Sequence, residues 1–120
     1  MKATLKNYHQ SPRKVRLVAD MIRGKSVPAA RAALHFLPKK STPAISKLLD
    51  SAVANSNIAP DQLFVKAIAV NKGIVMRRAR PFARGRAGSI RKTMSIVTLE
   101  LGTNAPAKKT RAKKAAKTGN

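Results

Sequence analysis

Apolar residues recur along this chain with two different periods, and each period predicts a kind of element. After Ser11, a cap residue, and Pro12, which suits the first helical position, the spacing is helical. Val15, Val18, Ala19 and Ile22 share one arc of the wheel, while Arg13, Arg16 and Arg23 share another, with Asp20 at the i+4 spacing that favours a pair with Arg16. This predicts a first helix to about Arg23, stopped by Gly24 in a left-handed conformation. Ser26 and Pro28 open a second helix, whose stripe of Ala30, Ala33, Leu34 and Leu37 ends at Pro38. Thr42 as cap and Pro43 open a third. Its Ile45, Leu48, Leu49, Ala52 and Val53 fill one arc opposite Ser46, Lys47 and Asp50, so this helix is expected to lie against a strand pair.

Elsewhere the period is two. Ala3 to Tyr8 alternates weakly, with Leu5 on one side and Thr4, Lys6 and Tyr8 on the other, as in a short strand. Leu63 to Val70 sets Phe64, Ile68 and Val70 against Lys66, and in Met94 to Leu101 the residues Val97, Leu99 and Leu101 alternate with Ile96, Thr98 and Glu100. Asn55 to Asp61 connects the third helix to the first of these two strands, with Pro60-Asp61 marking the turn, and Gly102 closes the second.

Charge changes the picture between those two strands. Arg77, Arg78, Arg80, Arg84, Arg86, Arg91 and Lys92 follow Lys72 without an acidic residue. Strands bracketing a basic insert predict an extended hairpin. Arms of about ten residues at roughly 3.3 Å each reach about 30 Å from the body, and an isolated two-stranded ribbon is marginal in water. Guanidinium groups are permanently charged planar forks that match phosphate, so the expected support is a nucleic acid.

The whole composition agrees. The 120 residues carry 26 Lys and Arg against four acids, Asp20, Asp50, Asp61 and Glu100, for a formal net charge of +22. Such a charge opposes compaction in isolation and attracts a polyanion. The 43% hydrophobic share nevertheless matches a folded domain. Tyr8, Phe36, Phe64 and Phe82 are too few for stacking platforms that read single strands, which favours recognition of folded backbone shape. Cysteine is absent, and the acids are dispersed over separate elements, so neither a thiolate metal site nor a nuclease centre is expected. His9 and His35 read as ordinary surface residues. No cofactor, metal or catalytic residue is expected, and no run of about 18 apolar residues suggests a membrane partner. An architectural DNA-binding protein, inserting a proline such as Pro81 into a minor groove, is the alternative from another class. Thr103 to Asn120 holds six Lys or Arg with only alanine as apolar filler and is expected to be a disordered basic tail after a domain spanning residues 1–102.

Two stretches are specific enough to name a family, and a third looks like the end of that family's long helix. The run from Ser11 through Arg13, Lys14, Val15 and Arg16 to Lys25, the run Arg80-Pro81-Phe82-Ala83-Arg84-Gly85-Arg86-Ala87 continuing to Ile90, Lys92 and Ser95, and Ser51 to Asn55 together resemble the universal large-subunit ribosomal protein family numbered twenty-two, of bacterial or organellar type. The resemblance implies an α+β fold, three helices packed on a three-stranded antiparallel sheet, with a long protruding β-hairpin at about residues 71–95. It implies a structural protein of the cytoplasmic or organellar ribosome, not an enzyme. Its partners would be large-subunit ribosomal RNA, neighbouring large-subunit proteins and, at the hairpin tip, the nascent peptide in its exit tunnel. The candidate rRNA contacts are Arg13, Lys14, Arg16, Arg23, Lys25, Lys39, Lys40, Lys72, Arg77, Arg78, Arg80, Arg84, Arg86, Arg91 and Lys92. By the same resemblance, Met76, Arg77, Arg78, Arg84, Gly85 and Arg86 lie at or near the tip. The family usually places a basic residue at Phe82, a polar one at Ile96 and a more acidic entry at Asn71 to Ile74; Phe82 is expected either to stack on a base or to pack against the ribbon.

Overall fold

The computed structural model describes residues 1–103, so the expected basic tail lies, apart from Thr103, outside the described residues. The chain runs β1 (Lys2–Tyr8), α1 (Pro12–Ile22), α2 (Val27–Phe36), α3 (Thr42–Ala54), a single 3-10 turn at Pro60–Gln62, β2 (Phe64–Pro81), a second such turn at Ala83–Gly85, and β3 (Ala87–Gly102). The three strands form one antiparallel sheet in the order β1-β3-β2. This is the α+β arrangement that the two periodicities and the family resemblance imply.

The helical stripes find the sheet as their spacing requires. Val15, Val18, Ala19 and Ile22 of α1, Val27, Ala30 and Leu34 of α2, and Ile45, Leu48, Leu49 and Ala52 of α3 are buried against Val65, Ile68, Val70, Val97, Leu99 and Leu101. Full burial of one such branched side chain is worth about 1.5–3 kcal/mol. The placement of α3 differs from expectation: it rests on β1 and β3, while α1 covers β2 and β3. With β3 central, neither helix alone can cover a three-stranded face, and each straddles the middle strand and one flank.

Several local expectations are also corrected. Tyr8 packs on the core beside Leu5 instead of facing away, because the β1–β3 register shifts between Leu5 and Tyr8, where Asn7 has a φ of 54°. Phe64 is only half-buried, and Val65 takes the core position with Ile68 and Val70. A second register shift between Val65 and Ala67 breaks the simple alternation there. Asp20 pairs with Arg23 at 3.1 Å, not with Arg16, whose guanidinium is engaged elsewhere.

Helix starts differ in their chemistry from the sequence expectation. Ser11 and Ser26 occupy cap positions without a side-chain cap bond; Ser11 instead accepts from Lys14 and Val15 through its carbonyl. Thr42 is already helical and Ser41 takes the cap position, because a turn closed by Thr42 N–H on the Lys39 carbonyl (3.1 Å) brings Ser41 into helical geometry. Gly24, at a φ of +74°, does end the first helix in the left-handed region.

Candidate nucleic-acid interface

β2 and β3 stay paired well past the core, from Phe64↔Gly102 out to Pro81↔Ala87. Between Lys72 and Pro81 the ribbon has little to pack on, and at roughly 3.3 Å per residue it extends about 30 Å. Beyond Val75 and Thr93, which are half-buried, every residue is exposed except the half-covered Gly88. A register shift between Lys72 and Val75 marks the point where the ribbon leaves the body.

Register sets which cations share a face, since directly paired residues of antiparallel strands project to the same side. Arg77 opposes Arg91, so two like charges stand side by side, an arrangement that disfavours the ribbon on its own. Arg78 opposes Ile90, Arg80 opposes Gly88 and Met76 opposes Lys92, which gives the other face three cations among Met76 and Ile90. Both faces are therefore basic. No ion pair involves a hairpin residue among the described residues, because the pairs present are Lys2–Glu100, Arg23–Asp20 and Arg31–Asp50.

The ribbon closes through Phe82 N–H donating to the Arg86 carbonyl at 2.7 Å. Arg84 and Gly85 sit at φ values of 60° and 70°, so the turn holds a non-glycine residue in the left-handed region. Gly88 has a different task from turning. A Cβ there would lie 1.9 Å from the Phe82 ring, so the missing side chain lets Phe82 fold back on the ribbon, as in the packing alternative of the two expectations for that residue. The Arg80 guanidinium lies 6.0 Å from the centre of the same ring. Arg84, Gly85 and Arg86 thus form the end of the hairpin, whereas Met76, Arg77 and Arg78 are ladder residues several rungs nearer the body.

The cations of α1 separate into two groups. Arg16 donates through Nε and Nη2 to the Val70 carbonyl at 3.2 and 3.1 Å, and Arg23 donates through Nη2 to the Ile68 carbonyl at 3.1 Å. β2 is an edge strand, and these arginines occupy carbonyls that would otherwise invite another strand. Just before them, Gly24 N–H donates to Val65, Val65 N–H to Lys25, and Val27 N–H to Leu63. Arg16 and Arg23 are therefore structural braces that still expose part of a charged fork, a role that no spacing in α1 could reveal, since their acceptors lie 54 and 45 residues away. Arg13 and Lys14 are exposed, as are Lys25, Lys39 and Lys40.

Four candidate cations from three elements converge. Lys14, Lys40, Arg91 and Lys92 line one half-open recess of about 350 Å³ at the hairpin root, together with Gln10 and Met76. Its walls are fixed by Tyr8 Oη–H donating to the Lys40 carbonyl at 3.2 Å and by the wholly buried Ser95 donating to the Gln10 carbonyl. Gln10 and Ser95 escaped the sequence reading because their meeting depends on the β1 bulge and carries no local signal.

The geometry is that of a compact body with a bare basic ribbon, and the comparisons with known proteins place it. The profile of the family described as ribosomal protein L22p/L17e matches residues 3–102. The chain belongs to this family. Among L22p/L17e relatives, the large ribosomal subunit protein uL22 of Mesoplasma florum is 51% identical over 102 residues, covering 82% of this chain and 91% of the relative. That of Acholeplasma laidlawii is 47% identical, covering 82% and 92%, and that of Neorickettsia sennetsu 48% identical, covering 85% and 94%. All three are named as proteins of the large ribosomal subunit, which sets aside the architectural DNA-binding alternative and the enzyme class for this L22p/L17e member.

Proposed function

We propose that this large-subunit ribosomal protein binds large-subunit rRNA through the hairpin and the cations around α1 and the α2–α3 turn, supports subunit assembly, and carries its hairpin turn to the wall of the nascent-peptide exit tunnel. The observation that carries the reading is the hairpin itself: eight cations, Lys72, Arg77, Arg78, Arg80, Arg84, Arg86, Arg91 and Lys92, without an acidic partner, on a ribbon that leaves the body. A polyanion around the ribbon offsets that repulsion along its length and gains the release of its own counterions. The family resemblance supplies the identity of the polyanion and of the tunnel. Relatives named as large-subunit proteins support the first of these.

In this mechanism the body docks and the ribbon threads. Guanidinium forks on both faces hold phosphates of RNA strands that lie on either side, so position is set by backbone shape and not by base sequence. Phe82, packed over Gly88, stiffens the end of the ribbon, and Arg84, Gly85 and Arg86 border the tunnel. The turn takes no part in peptide-bond chemistry. Neighbouring large-subunit proteins meet the exposed flanks of the body.

Two measurements test this. The chain should co-sediment with large subunits after a high-salt wash; loss into the supernatant would contradict a structural seat in the subunit. With a photo-crosslinkable amino acid in place of Arg84, translating ribosomes should yield crosslinks to nascent chains, and the same amino acid in place of Lys47 on α3 should yield none. Absence of nascent-chain crosslinks from position 84 would remove the tunnel assignment while leaving the subunit assignment standing.

A further inference from the structure

The recess at the hairpin root combines an uncompensated positive charge with an unmet hydrogen-bonding need. Lys14, Lys40, Arg91 and Lys92 line it, and no carboxylate does. Gln10 lines it too, and Gln10 Oε1 is buried without a hydrogen-bond partner. A buried acceptor without a donor is uncommon in a folded protein and points to a group that arrives from outside. The ligand must then combine an anion with a neutral donor a short distance away. A ribonucleotide has both on one sugar, since its 2′-hydroxyl adjoins its 3′-phosphate.

We propose that the recess at the hairpin root receives a single ribonucleotide of the bound RNA, its 3′-phosphate held by Lys14, Lys40 and Lys92, which shares the Met76 face of the ribbon, and its ribose 2′-hydroxyl donating to Gln10 Oε1. This rests on the reading of the hairpin as an RNA-binding element and deepens it: the ribbon tracks phosphates along its length, and the recess selects ribose. The cavity of about 350 Å³ falls within the ~300–1,000 Å³ range of small-ligand sites. Met76, 43% exposed, gives the sugar an apolar surface. Because Tyr8 and Ser95 hold the walls through backbone carbonyls, the recess exists before the ligand arrives. The 2′-hydroxyl is the group by which a protein distinguishes RNA from DNA at one site, so the recess confers that distinction on a surface that is otherwise sequence-blind.

The test uses the isotope-labelled full chain, titrated at constant low ionic strength with adenosine 3′-monophosphate, its 2′-deoxy counterpart and inorganic phosphate. The ribonucleotide should shift the backbone amides of Gln10, Ser11, Lys14, Lys92 and Thr93 saturably and leave those of Ala83 to Arg86 in place. The deoxynucleotide should bind about 3- to 10-fold more weakly, the worth of one hydrogen bond. Gln10→Ala should erase the difference without unfolding the chain, because the bonds from Ser95 and to Tyr8 use the Gln10 backbone. Equal binding of the three probes, shifts spread evenly over recess and turn, or a ribose preference that survives Gln10→Ala would overturn the proposal. A large-subunit rRNA transcript separates the two levels: a steep salt dependence with no ribose preference removes the recess alone, whereas a log–log slope shallower than about −3 removes the RNA-binding reading beneath it.

Discussion

The body and the hairpin of this chain solve the same problem of excess charge in opposite ways. In the body, Asp20, Asp50 and Glu100 each meet a cation, and Arg16 and Arg23 spend donors on carbonyls of the exposed strand edge. Its edge is covered as far as Val70 and its core is closed. Along the hairpin, Arg77 faces Arg91, no carboxylate intervenes, and the strand edges beyond Val70 lie open. One region compensates part of its charge; the other leaves all of it to a partner. A single edge strand, β2, shows both solutions within 18 residues, and the change comes at the register shift after Lys72.

If this division is right, substitutions in the two regions should fail in different assays. The largest loss of stability should come from Leu49→Ala, because Leu49 is wholly buried on α3 and such truncations cost about 2–5 kcal/mol. Denaturant melts read this directly, and a change below about 1 kcal/mol would dislodge α3 from the account of the core. Arg16→Ala comes next, at about 1 kcal/mol, since it removes two donors from the Val70 carbonyl at an edge that solvent can partly satisfy. Hydrogen exchange should speed up at β2 near Val70; unchanged exchange there would make Arg16 a plain surface cation. Asp50→Ala should matter least, within about 0.5 kcal/mol, because its pair with Arg31 is largely exposed. A loss approaching that of Leu49→Ala would show that the body depends on its ion pairs far more than on its core.

The legible part of this molecule was whatever local periodicity encodes. The arcs of α1 and α3 and the alternation through Val97, Leu99 and Leu101 carried over to burial almost residue for residue. Tyr8 and Phe64 did not, because one bulge beside each changes which side of the strand the next residues face. The basic insert was equally plain in the sequence, but its internal geometry was not. Gly88 is room for the Phe82 ring, a close approach that no local pattern marks. Arg16 and Arg23 looked like outward charges on a helix and proved to be braces, since their acceptors belong to a strand that sequence spacing cannot place beside them. Gln10, Lys40 and Lys92 meet only after three elements assemble, so the recess had no trace in the linear order.

The central claim is that the hairpin charges serve RNA and not the fold. It is tested most directly by one paired measurement on a chain with Arg77, Arg78, Arg80, Arg84 and Arg86 all replaced by Gln. The melting temperature of the free variant should equal or exceed that of the original, since removing Arg77 relieves its repulsion with Arg91. The log–log salt slope for binding a large-subunit rRNA transcript should become shallower by about 0.7–0.9 for each arginine that contacts phosphate, or by roughly 3.5 to 4.5 if all five do. A lowered melting temperature with an unchanged salt slope would contradict the account, because the charges would then hold the protein together and leave the RNA untouched.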